Sequence, residues 1–168
     1  MTVSIWTDSL VEPLAGDWIN ADDQHETYEA VKAVTDAWTS YTPTWLSSGT
    51  APALGNGTIS GAYRQSGKLG QLHILLTIGS TSTFGTGIYR FSLPPSWSFT
   101  ADRCHGVNLI TDATGNVHIG GTYVPIPTAL SCRIHGLAIA SSIPSATVPM
   151  TWATGDKWYL KFEGEVEP

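Results

Sequence analysis

Charge is what this 168-residue chain has least of: Asp, Glu, Lys and Arg make up 13% of it, about half the usual share. Only eight residues are Lys or Arg, and they form no basic stripe of the kind that neutralises phosphates, so nucleic acid is not an expected partner. Cysteine is almost as scarce. Cys104 and Cys132 fall short of a disulfide framework and read as small buried hydrophobes. No run reaches the roughly 18 apolar residues of a membrane span. The first ten residues include Asp8 and lack both a basic start and an apolar run, so no signal peptide is expected, and a soluble protein made in the cytoplasm is. Catalytic signatures are missing too: there is no Gly-x-Ser-x-Gly elbow, no phosphate loop and no dinucleotide fingerprint.

What the chain has instead is 42% apolar residues, 17 glycines and 37 Ser or Thr, which together supply a core and a polar, mostly uncharged surface. This composition suits short strands and turns and is poor in the Glu, Lys and Ala that fill exposed helices. Period-two alternation appears along Leu72, Ile74, Leu76 and Ile78, with Gln71, His73 and Thr77 opposite and Leu75 as the exception. Trp158, Leu160 and Phe162 alternate with Tyr159, Lys161 and Glu163 in the same way. Further strands are predicted near 57–64, 88–93, 103–111, 117–125 and 130–140. Turn signals at 65–68 and 112–116 separate them, and Pro94-Pro95 and Ile126-Pro127 stop them because proline cannot donate to a ladder. About eight strands at this spacing predict a mainly β fold, an antiparallel sandwich or jelly roll.

Charge divides the chain near Trp38. Residues 1–38 hold eight acids against Lys32 alone, whereas residues 39–168 hold six acids and seven bases. The expected organisation is an N-terminal arm, 1–38, followed by a β domain, 39–168. The arm carries Trp6, Trp18 and Trp38 in a segment too short to bury them by itself, so those rings are expected to anchor it on another surface, a partner protein in preference to its own domain. Asn20 can cap a helix over about 21–37, with Asp22 and Asp23 at the end where the helix dipole favours acids. Tyr28, Val31, Thr35 and Trp38 then share one narrow stripe, suited to a flat sheet or to copies of itself. A helix this short is marginal alone and requires a partner surface.

Candidates for chemistry are weak. His25 and Glu29 lie one helical turn apart with no second histidine to complete a zinc-protease pair. Cys104, His105, His118, Cys132 and His135 are metal-ligand types, but neighbours along alternating strands point to opposite faces, so no single metal site is expected. Gly55-Asn56-Gly57 and Gly85-Thr86-Gly87 read as turns, and Glu163, Glu165 and Glu167 as a solvated run. No catalytic residue, metal or cofactor is therefore assigned, and the chain reads as a non-enzyme.

The stretch WTSYTPTWLSSGTAPAL from Trp38 continues into GNGTISGAYRQSGKLGQLHILLTIGSTSTFGTGIYRFSLP, and near the end Val148-Pro149-Met150-Thr151-Trp152-Ala153-Thr154-Gly155-Asp156 precedes a last strand. In these motifs residues 38–166 resemble a domain of virion proteins from phages and prophages of actinobacteria, the minor tail and tail-fibre proteins. The arm is similar to the starts of such proteins in Trp6, Gly16-Asp17 and Asn20. The resemblance implies a structural virion protein, a homotrimer whose arm docks on other virion proteins of tail or capsid while its β domain projects. Placed at the tail, such a protein would present loops 80–87 and 96–103 to a host cell-wall glycan, with Tyr89 or Trp97 exposed to stack on sugar. No long shaft separates arm and domain, which keeps a capsid decoration protein or head spike as the alternative.

Overall fold

The computed structural model describes residues 38–126, 129–136 and 139–167. The chain divides into two units, Met1–Ala37 and Trp38–Pro168, and the description that follows concerns the second. The predicted helix over 21–37, with Trp6, Trp18, Tyr28, Val31 and Thr35, lies outside the described residues.

Ten strands follow one another: β1 (Thr39–Tyr41), β2 (Trp45–Ser47), β3 (Thr58–Ser66), β4 (Leu69–Thr77), β5 (Tyr89–Ser92), β6 (Ser98–Thr111), β7 (Val117–Ile126), β8 (Ala129–Gly136), β9 (Ile139–Ser142) and β10 (Lys157–Glu167). They form one sheet in the order β1-β3-β4-β10-β6-β7-β8-β5-β2, with β9 on β8, and every pairing is antiparallel. The mainly β, antiparallel architecture expected from the alternation is thus the one observed. Three short strands escaped the sequence reading: β1 and β2, because three residues are too few to show a period, and β9, which the predicted strand 130–140 ran together with β8.

The order of strands dictates that the sheet curls. β1 and β2 stand at opposite ends of a nine-strand path, yet only residues 42–44 join them. A flat sheet at about 4.8 Å per strand would hold those ends nearly 40 Å apart, and so short a link reaches only about 14 Å. The two edges therefore come together around one core. Thr44, at the end of that link, extends the β2–β5 pairing by one rung: Ser92 N donates to Thr44 O at 3.0 Å, and Thr44 N donates to the Ser92 hydroxyl at 2.8 Å.

Curling turns inward faces toward one another. Trp158 on β10 and Phe91 on β5 are four strands apart in the sheet, and their rings meet at 5.0 Å, edge to face. Two aromatic chains fill the interior. Trp45, Tyr89, Trp152 and Trp158 form one with Phe91, and Tyr41, Tyr63, Trp97, Phe99 and Phe162 form the other. Such pairs contribute about 0.5–1.5 kcal/mol each beyond their area burial. Leu72, Ile74 and Leu76 from β4 and Trp158, Leu160 and Phe162 from β10 complete the core between them.

Loops 48–57 and 79–88 are laced to each other. Ala53 and Thr83 exchange backbone hydrogen bonds of 2.9 and 2.8 Å, and the Asn56 carboxamide accepts from Thr81 N and Thr81 Oγ1 while donating to Ser80 Oγ. The predicted turn at 55–57 is part of this lacing: Gly55 has φ 57°, a conformation that suits glycine.

Candidate interaction surface

The same alternation that loads the core exposes a second set of side chains on the outside. Tyr159 is in register with Leu75 on one side and Leu109 on the other, and Leu109 is in register with Ile119. This gives a row of four apolar residues across β4, β10, β6 and β7, neighbouring strands about 4.8 Å apart. Val117 and Val107 lie two residues along on either side. Val107, Leu109, Val117, Ile119 and Tyr159 are all between 37% and 59% exposed. Half the surface of five large apolar side chains is on the order of 400 Å², the size of the largest patches on ordinary monomers, which commonly mark contact surfaces.

The neighbouring rows are polar and graded in charge. The apolar row and those flanking it include His73, Lys157 and Lys161 but no carboxylate. Neither lysine forms an ion pair among the described residues. Two residues further along β10 the sign reverses. Arg64 Nε donates to Gln71 Oε1 at 2.7 Å, Gln71 Nε2 donates to Glu163 Oε2 at 3.2 Å, and His105 Nε2 stands 3.5 Å from Glu163 Oε1. Beyond that ladder Lys68 pairs with Glu165 at 3.3 Å beside Leu69, which is 49% exposed. Lys68, Leu69, His105, Glu163, Gly164 and Glu165 line a shallow groove there.

Trp38 stands at the other end of the Arg64 ladder. Its ring lies 4.7 Å from that of His73 and beneath the Arg64 guanidinium at 5.1 Å, and it is 36% exposed. An exposed cation–π contact of this kind is worth about 0.5–1 kcal/mol. Of the three tryptophans assigned to the arm, it is the one within the described residues.

Tyr89 and Trp97 correct the sequence reading. Neither is available for stacking on a sugar: Tyr89 is fully buried and Trp97 is 8% exposed. Tyr89 occupies an inward position of β5, packs against Trp45, and donates its hydroxyl to Phe84 O at 2.7 Å. Trp97 is turned inward by the bend before it, where Ser96 has φ 66° and Trp97 N donates to Pro94 O. Loop 80–87, expected to face a glycan, has Thr81, Ser82, Thr83 and Thr86 bonded to loop 48–57.

The metal-ligand types are spread by the topology. Cys104 stands opposite Gly164, and Cys132 opposite Thr122, on strands separated by β7. Among the described residues no three His, Cys, Asp or Glu come together. The outward apolar row was the feature the alternation did not single out. Its signal was present in Leu75, the apolar exception on a polar face, and in the equally apolar 107–110 and 117–119 segments.

No family model matches the chain, and no curated protein or solved structure matches it either.

Proposed function

We propose that this chain is a non-enzymatic structural protein of a bacteriophage virion, a trimeric minor tail or tail-fibre component. Residues 1–38 dock on the particle and residues 39–168 project as its β domain. The outward apolar row Leu75–Tyr159–Leu109–Ile119 carries the reading, because a rigid, charge-poor sheet face is what a subunit that packs among copies requires. The resemblance of residues 38–166 to tail-protein domains supports it independently. Any contact with a host-surface glycan falls to exposed groups, since Tyr89 and Trp97 belong to the core.

A capsid decoration protein or head spike is the second reading. It is favoured by β1 starting at Thr39, directly after the arm, with no shaft to carry the domain away from the shell. Immunogold labelling of phage particles separates the two. Label at the tail supports the first, label over the head supports the second, and purified particles lacking the protein overturn both. Deleting residues 1–38 is expected to abolish incorporation; a truncated protein that still joins particles removes the docking role from the arm.

A further inference from the structure

We infer that the outward face of β10, β6 and β7 is the surface on which one copy of this chain seats on another. The inference rests on the reading of the protein as self-associating and names the contact surface that reading leaves open.

Two parts of the one face fit each other. The first is apolar and cationic: Val107, Leu109, Val117, Ile119 and Tyr159, with Lys157 and Lys161 standing among them without ion-pair partners in the described residues. The second has acids in excess: half-exposed Leu69 sits beside Glu163 and Glu165 along a shallow groove that Lys68 and His105 also line and partly neutralise, with Glu167 at the end of the strand. A generic acidic partner would explain only the first part, and a generic basic partner only the second. A neighbouring copy supplies a counterpart to both.

Charge also constrains how two copies can meet. A two-fold axis through Tyr159 would set Lys157 of each copy against Lys161 of the other, because the two lysines flank Tyr159 at equal spacing on β10. Like charges opposed in this way are unfavourable. Seating the cationic part of one copy on the acidic part of another avoids the clash. The apolar area, on the order of 400 Å², would form the centre of a contact of about 800 Å² per partner, with the charged rows as its rim.

The experiment is sedimentation equilibrium of the full-length chain. Leu109→Asp and Ile119→Asp alter exposed outward positions, and Ala51→Asp in an exposed loop far along the chain serves as control. The wild type and the control are expected to form one discrete oligomer. The two face variants are expected to become monomers with an unchanged circular dichroism spectrum. Folded face variants that keep the wild-type mass would overturn the surface while leaving self-association intact. A monomeric wild type would overturn self-association itself. If the aspartate variants fail to fold, Lys161→Glu takes their place: loss of the oligomer, restored when Glu163→Lys is added, supports the charge pairing, and an oligomer indifferent to both refutes it.

Discussion

The indole of Trp97 lies against the backbone of Gly70, occupying the space that a side chain there would fill. A Cβ added to Gly70 would stand 2.8 Å from two atoms of the Trp97 ring. Gly70 is itself in register with Gly164, and both are buried on the inner face, so two adjacent strands leave a slot at that level. Tyr63 and Phe99 hold the indole edge to face from either side, at 5.0 and 5.6 Å. The missing side chain of Gly70 thus leaves room in the core for the Trp97 ring, beside Val166.

Trp97→Ala is expected to lower stability by about 3–5 kcal/mol, as for other large aromatic truncations. Gly70→Val, which overfills the same slot, is expected to cost about 1–3 kcal/mol. Urea denaturation of the purified chain measures both. A loss under half a kilocalorie for either substitution would mean that the slot can reshape.

Asp156 joins two turns. Its carboxylate accepts from Ala113 N at 2.8 Å and from Ala153 N at 2.7 Å, and it is 1% exposed. Asp156→Ala strands both donors in a buried place and is expected to cost about 3 kcal/mol, whereas Asp156→Asn, which keeps one oxygen acceptor, is expected to cost about half of that. Thermal melts of the two variants should differ in this order. Equal melting temperatures would show that one of the two bonds contributes nothing.

Burial opposes the ionisation of two tyrosines. Desolvation pushes Tyr89 up to about 12 and moves Tyr41 upward as well. In the unfolded chain both ionise near pH 10. Since the folded state holds these protons more tightly, the stability they add is complete below about pH 10 and is lost as pH rises from there toward 12. An ultraviolet phenolate titration should therefore show part of the tyrosine absorbance appearing late and together with unfolding. All six tyrosines ionising near pH 10 in a folded protein would contradict this.

Asp112 works in the opposite direction. The Asn116 carboxamide, the Thr114 hydroxyl and the backbone N–H groups of Asn116 and Thr114 all donate to it, holding the carboxyl well below the usual range. Its contribution is present above the unfolded value of about 3.9 and fades as pH falls below it. Asp112→Asn should make acid unfolding shallower on that limb. An NMR titration of the carboxyl that gives an ordinary midpoint would remove the effect.

Among the described residues, the buried hydrophobic core runs from Trp45 to Val166. A fragment of residues 38–168 is accordingly expected to melt cooperatively on its own, and a fragment without a sigmoidal transition would show that residues 1–37 are needed for folding.

Much of this architecture could be read from the chain alone. Alternation at 72–78 and 158–163 placed β4 and β10 and their inward sets, because a half-buried strand sorts its side chains by solvent affinity at each second position. Turn residues such as Gly67 and Gly115, at φ 57° and 97°, marked the hairpins, since few other residues accept that backbone. What stayed hidden depended on residues distant in sequence. Whether an aromatic ring is buried depends on what lies across from it: Tyr89, on a predicted strand, and Trp97, in a predicted loop, were both expected at the surface, and Trp45, Tyr63 and Gly70 beside them make them core. The outer apolar row is likewise a matter of register. Leu75, Tyr159, Leu109 and Ile119 come from four separate strands, and only the pairing that aligns those strands turns four unremarkable residues into one surface.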